Sequence, residues 1–249
     1  MSAPDEGDDE REWDYHPAPD LTQSLAARLR GFPREPDMLV YGLRCAAALA
    51  LRLWLRAYHR LSIEGREHLP ARGSFVLVGN HASHLDAPCL LASLPLRRLH
   101  SAFPAAAKDY FFSSLPRSAF SAVLINALPF DREADGAQSL AVCAELLARE
   151  GNVLILFPEG TRSTTGALGR FRSGIGRLVA GTPIPVVPCH LTGGAAAWPK
   201  GRALPRPRRL RLVLGPPRSY ADLTPDRDAV QHVCADLQAA VAALAAPGP

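Results

Sequence analysis

Apolar residues between positions 74 and 214 gather into short runs separated by turn formers. Ser74–Val78, Ser121–Leu128, Val153–Phe157, Ile184–Cys189 and Leu210–Leu214 are short, β-branched or leucine-rich and bounded by polar or Gly/Pro residues, which predicts strands. Between the second and third runs the apolar spacing changes to the helical period over Gln138–Arg149, with Gly151 just beyond as a left-handed stop. A final helix is predicted to begin at Thr224 as cap with Pro225 in its first position, its apolar stripe running through Val230, Val233, Leu237 and Val241. Strands alternating with helices predict an α/β fold, a single domain with a mixed central sheet flanked by helices, over residues 62–249.

Ahead of that domain, Met38–Leu61 reads as an amphipathic helix. Arg52, Arg56 and Arg60 recur every fourth residue, and Leu43, Ala46, Ala50, Trp54 and Ala57 lie largely opposite. Its most apolar stretch, Cys45–Leu51, is bracketed by Arg44 and Arg52, too short for the ~20 residues that span a bilayer. Periodicity allows two readings, a core helix with solvated arginines or a helix lying in the headgroup layer. With the chemistry below, residues 21–61 are read as a membrane-associating helical segment, peripheral or monotopic, on the cytoplasmic face.

Charge divides the chain further. Residues 1–20 hold eight acids against Arg11, a net of −7, while the whole chain is +4. That stretch, with Pro4, Pro17 and Pro19 and few core formers, is expected to be a disordered acidic tail. An acidic start is also unlike an export signal. The basic remainder suits an anionic surface or a phosphorylated substrate. It lacks the interleaved aromatics or helical motifs of a nucleic-acid binder. Five scattered cysteines without a Cys-x-x-Cys pair argue against a disulfide framework or a zinc site.

Two strand ends carry the polar chemistry, where open α/β sheets bind ligands. The first reads Gly79-Asn80-His81-Ala82-Ser83-His84-Leu85-Asp86. In one continuous helix His81 and Asp86 would be turned about 140° apart and would not meet. If Ser83 caps a helix with Asp86 in its first turn, His81 lies in the loop before it and can fold back onto the carboxylate. The pair would then serve as a general base for an alcohol. Competing readings are a loop histidine, a bare helix cap, and a metal site of His81, His84 and Asp86. The second end reads Phe157-Pro158-Glu159-Gly160-Thr161-Arg162-Ser163. There Glu159 could hold an acceptor hydroxyl, and Thr161 with Arg162 could meet phosphate oxygens. No Gly-x-Ser-x-Gly elbow is present, so the nucleophile is expected to come from the substrate.

Asn80, His81, Ser83 and Asp86 resemble the Asn-His-x-Ser-x-x-Asp block of the glycerolipid acyltransferases, the 1-acylglycerol-3-phosphate acyltransferase family. Phe157–Ser163 resembles their third block. Leu128-Pro129-Phe130-Asp131-Arg132 resembles the second and Pro183–Pro188 the fourth, in the family's order. Lys108 resembles a family lysine near the acceptor phosphate. The resemblance implies direct acyl transfer from acyl-CoA or acyl-carrier protein, with His81 as base and Asp86 orienting it. It implies Lys108, Arg132 and Arg162 as a phosphate clamp, with Glu159 and Gly160 placing the glycerol. Asn80, Ser83 and Thr161 join the substrate-binding set. No metal or organic cofactor is expected, and the thioester is a co-substrate. The expected acceptor is 1-acylglycerol 3-phosphate, giving phosphatidate. The alternatives are glycerol 3-phosphate, another lysophospholipid, a lyso-aminolipid, or a silent lipid-binding relative.

Overall fold

The computed structural model describes residues 38–107, 128–130 and 136–246. Helix α1 (Met38–Tyr58) leads into β1 (Ser62–Glu64) and a 3-10 turn at Arg66–His68, then β2 (Phe75–Gly79) and α2 (Asp86–Ser93). A 3-10 turn at Leu96–Ser101, β3 (Ala102–Ala107), β4 (Leu128–Phe130), α3 (Gly136–Ala148) and β5 (Val153–Leu156) follow. The remainder is α4 (Gly174–Val179), β6 (Val186–Thr192), α5 (Gly194–Ala197), β7 (Arg211–Leu214) and α6 (Arg227–Ala243).

The strands form one sheet in the order β1-β7-β6-β2-β5-β3-β4. All neighbours run parallel except the antiparallel pair β6–β7, so the sheet is mixed. β2 lies inside it, with Val76 level with Leu154 of β5 on one side and Val186 of β6 on the other. Helices cover such strands on both faces, so β2 is apolar at every position and wholly buried. That burial holds rigid the strand end that carries Asn80 and His81.

Four of the predicted strands appear with shifted ends: β2, β5, β6 and β7. The run Ser121–Leu128 lies outside the described residues except for Leu128, which opens β4. The last helix is capped by Asp226, whose carboxylate accepts from the Ala229 amide at 2.8 Å, and not by Thr224. A short turn in which the Asp226 amide donates to the Thr224 carbonyl precedes it. The acidic tail, residues 21–37, Lys108 and Arg132 also lie outside the described residues.

Helix α1 corrects one expectation. Arg44, Leu55 and the half-buried Ala48, Leu51 and Trp54 face the body. Trp54 stacks on Tyr58 at 5.7 Å and meets His59 edge-on, so it is not part of the outer face. Arg52 also turns inward and donates to the Leu94 carbonyl. The outer face carries the expected Leu43, Ala46, Ala50 and Ala57 and adds Leu49 and Leu53, the last 70% exposed. Helical period fixes which residues share a face but not which face the body covers. No helix among the described residues is long and apolar enough to cross a membrane.

Candidate active site

β2 ends at Gly79, and α2 begins at Asp86 rather than at a Ser83 cap. The loop between them turns His81 back on the carboxylate, whose Oδ2 accepts from His81 Nδ1 at 2.8 Å. The same oxygen takes the backbone amides of Ala82 and Ser83, each at 2.8 Å. The Ser83 hydroxyl meanwhile accepts from the Leu85 amide at 3.0 Å. This is most of a capping box shifted by one position, so a helix-start device also builds the His–Asp pair. Asp86 is buried, and its place in the first helical turn favours the anion. Its second oxygen, Oδ1, is buried and takes no hydrogen bond.

His81 is also fixed in plane. Its ring stacks on Phe157 at 4.3 Å with an interplanar angle of 16°. With Nδ1 given to Asp86, Nε2 keeps no hydrogen-bond partner among the described residues. The side chain remains 17% exposed, against 2% for Asp86. That arrangement can accept a proton from a hydroxyl and hold the resulting cation beside a buried anion.

The two strand ends are laced together. Glu159 Oε1 accepts from the His81 amide at 2.7 Å, and Glu159 Oε2 from the Gly169 amide at 2.9 Å. Ser163 donates its amide to the His81 carbonyl at 2.7 Å. Asn80 locks onto β6, accepting from the Leu191 amide at 2.8 Å and donating to the Leu191 carbonyl at 3.1 Å. Ser83 donates its hydroxyl to the Trp198 carbonyl at 3.0 Å. Asn80, Ser83 and Glu159, expected to bind substrate, here give their polar atoms to backbone partners in the interior. They position the loop that carries the base.

Gly160 is required by its backbone, with φ of 72°, and by space: a Cβ there would come within 2.7 Å of Arg172 Nε. Thr161 is exposed, as a substrate contact requires. Arg162 Nη1 lies 2.6 Å from Nδ1 and 2.7 Å from Nε2 of His84. Burial first, then the Arg162 charge and that of His81, push the His84 ring down to about 4, with Asp86 pulling the other way. His84 is therefore neutral near pH 7 beside the guanidinium. Its ring lies against Arg162, and among the described residues no group of three or more His, Cys, Asp or Glu could hold a metal ion.

Sequence reasoning missed three contributors. Phe157 opens the second block and ends its predicted strand, but its place as the floor under the imidazole is visible only in the fold. Arg172 lies nine residues beyond the end of the Phe157–Ser163 block. The segment Gly193–Trp198 closes over the loop, its Trp198 carbonyl accepting the His84 amide at 3.1 Å. A Cβ on Gly194 would stand 3.0 Å from Ser83 Cβ and 3.2 Å from Asp86 Oδ1. The local signal was two adjacent glycines after a strand, which marks a close approach without naming its partner.

A family model described as Acyltransferase matches residues 60–192, more than half of the chain. The chain is 31% identical over 179 residues to a 1-acyl-sn-glycerol-3-phosphate acyltransferase of Limnanthes alba, covering 71% of this chain and 60% of that one. It is 28% identical to the enzyme of that name from Bacillus subtilis (strain 168), over 72% of this chain and 82% of that one. The chain thus spans less than two thirds of the plant relative's length. The crystal structure of the 1-acyl-sn-glycerophosphate (LPA) acyltransferase PlsC from Thermotoga maritima shares the fold, with a TM-score of 0.62 at 23% identity over 84% of this chain and 81% of that one. With the Asn-His-x-Ser-x-x-Asp and Phe-Pro-Glu-Gly-Thr-Arg-Ser blocks meeting at adjacent strand ends, the chain belongs to the glycerolipid acyltransferase family.

Proposed function

We propose that this chain is an O-acyltransferase working at a membrane surface. It takes a fatty acyl group from the thioester of acyl-CoA or acyl-carrier protein and gives it to the free hydroxyl of a lysophospholipid. The acceptor is 1-acylglycerol 3-phosphate and the product phosphatidate. The observation that carries this reading is the His81–Asp86 pair, a fixed imidazole with one nitrogen committed and the other open. No bound metal or organic cofactor enters the scheme.

His81 Nε2 takes the acceptor's hydroxyl proton as that oxygen attacks the thioester carbonyl. The tetrahedral intermediate collapses by breaking the carbon–sulfur bond, and the thiolate leaves with the proton returned from the imidazolium. Asp86 holds the Nδ1 proton and offsets the transient positive charge. No acyl-enzyme forms. Lys108, Arg132 and Arg162, with Thr161, take the acceptor phosphate, and that remote contact aligns the reacting hydroxyl. Asn80, Ser83, Glu159 and Gly160 hold the loops in register. The open apolar face of α1 rests in the cytoplasmic leaflet.

An acceptor panel tests the reading. Purified protein would be given acyl-CoA or acyl-carrier protein with lysophosphatidate, glycerol 3-phosphate, other lysophospholipids and a lyso-aminolipid. Thiol release and product mass would be followed. Phosphatidate as the fastest product is expected. Faster transfer to an acceptor without a phosphate monoester would overturn the acceptor assignment, and no thiol release with any acceptor would overturn the enzyme.

A further inference from the structure

Along the inner side of α1 the helix, β1 and the end of α2 line an open cleft of about 640 Å³. Arg52, Arg56, Arg60 and Arg66 line it with Ser62 and Ala92, and no carboxylate is among the described residues that line it. Ala92 lies six residues beyond Asp86 on α2, about 9 Å along that helix, so the cleft is built from different residues than the catalytic loop.

Four guanidiniums around one cleft repel each other, and the protein only partly compensates them. Arg52 donates to the Leu94 carbonyl, yet its Nε is buried with no hydrogen-bond partner. Arg66 donates to the Ala92 carbonyl at 3.1 Å. Arg56 and Arg60 are exposed and make no hydrogen bond or ion pair to the described residues. Glu64, on the neighbouring strand, is taken by Arg211 at 2.8 and 2.7 Å. Burial and the Arg66 charge both act against the Arg52 cation, which is the condition a bound anion relieves.

We propose that this cleft is a second, noncatalytic site that holds the phosphate headgroup of an anionic phospholipid against Arg52, Arg56, Arg60 and Arg66. Guanidinium forks match phosphate oxygens in pairs, and Arg56 and Arg60 bring two exposed forks to the cleft with no hydrogen bond or ion pair to the described residues. A lipid is favoured over a free ion for two reasons. The cavity is of headgroup size rather than single-ion size. Arg56 also shares its helix with the exposed Leu49, Leu53 and Ala57, which places acyl chains beside an apolar ridge. The inference rests on the membrane part of the proposed function and adds to it a specific ligand pocket.

The test titrates the full chain with a short-chain, water-soluble phosphatidate below its micelle concentration, and separately with inorganic phosphate. Two phosphatidate molecules per chain are expected. Arg56→Gln with Arg60→Gln, neither of which breaks an internal contact, should remove one. Arg162→Ala should remove the other. On phosphatidylcholine vesicles containing phosphatidate, the same double variant should bind about tenfold or more weakly, since each cation near an anionic surface contributes about 1 kcal/mol, with binding to neutral vesicles unchanged. An unchanged stoichiometry in the double variant would overturn the site, as would inorganic phosphate filling it as tightly as the lipid. If the double variant removes one molecule but Arg162→Ala removes none, the cleft stands and the catalytic clamp fails. If the wild type binds neither kind of vesicle, the membrane reading fails.

Discussion

The loop at the end of β2 and the outer face of α1 are built on opposite plans. Around His81 nearly every buried polar atom has a partner: Asp86 Oδ2 takes three donors, Glu159 takes two, and Asn80 both gives and receives. Along α1 Leu49 and Leu53 stand in water, and Arg52 and Arg56 meet no acid among the described residues that line their cleft. The first plan suits a group that must not move during a reaction, since a satisfied network in low dielectric pre-organises charge. The second suits a surface completed by something else. A chain that follows both plans separates its chemistry from its place of work, and each half can be broken without the other.

The largest effect should come from the imidazole. His81→Ala removes the imidazole aligned by Asp86 and Phe157, and thiol release in the presence of acceptor should fall at least ~10²-fold, the usual contribution of a general base. Circular dichroism and the melting temperature should stay close to wild type, because the Asp86 carboxylate keeps its two backbone donors. A folded His81→Ala protein with near-normal turnover would remove the base from the mechanism.

Glu159→Ala tests whether the loop network is structural. It leaves the amides of His81 and Gly169 without their acceptor, and each such loss costs about 1–3 kcal/mol, so a destabilisation of at least roughly 2 kcal/mol should appear in denaturant melts. Glu159→Gln, which keeps one acceptor oxygen, should recover part of it. If Glu159→Ala instead raises the KM for the acceptor at unchanged stability, Glu159 binds substrate after all.

How much of this was legible in the sequence follows from how local each signal is. β2 and β5 could be read because interior parallel strands are unbroken apolar runs. β3, Ala-Phe-Pro-Ala-Ala-Ala, could not, since alanine and proline carry little strand preference and only its place beside β5 makes it one. The His81–Asp86 pair spans five residues, so spacing and turn chemistry exposed it. The clasp of Glu159 on the His81 amide spans 78 positions and that of Asn80 on Leu191 spans 111. No periodicity encodes such a meeting. A motif marks its residues as important, while their division between touching substrate and holding a loop is set by which atoms are already engaged.

The ridge sharpens the comparison from the other side. Leu49 and Leu53 are 53% and 70% exposed, and surface changes away from packing usually alter stability by no more than about 0.5 kcal/mol. Leu49→Ser with Leu53→Ser should therefore melt like the wild type. It should nevertheless bind neutral vesicles about tenfold less well, through lost apolar burial. A clear drop in melting temperature with unchanged vesicle binding would mean that the ridge packs on protein and that the two regions follow one plan.

The smallest expected effect concerns His84, the partner of Arg162. Its ring titrates at about 4 in the folded chain, held down first by burial and then by the neighbouring cations, against an ordinary value near 6.5. Between those two values the unfolded chain takes up a proton that the folded chain refuses. His84 therefore contributes nothing unfavourable above about pH 6.5, and stability drains as pH falls from there toward about 4. His59, His100 and His190 are also held low by burial and act with the same sign, so the acid slope of the wild type belongs to all four. His84→Gln isolates one share. Melting temperatures of the two proteins, compared above the window and midway through it, should converge as the pH falls, because the variant lacks one of the protons the unfolded state gains. The convergence should be slight, since the half-buried ring is partly screened by solvent. Parallel curves across the whole window would mean that neither burial nor Arg162 holds His84 neutral, and the contact between the two side chains would have to be redrawn.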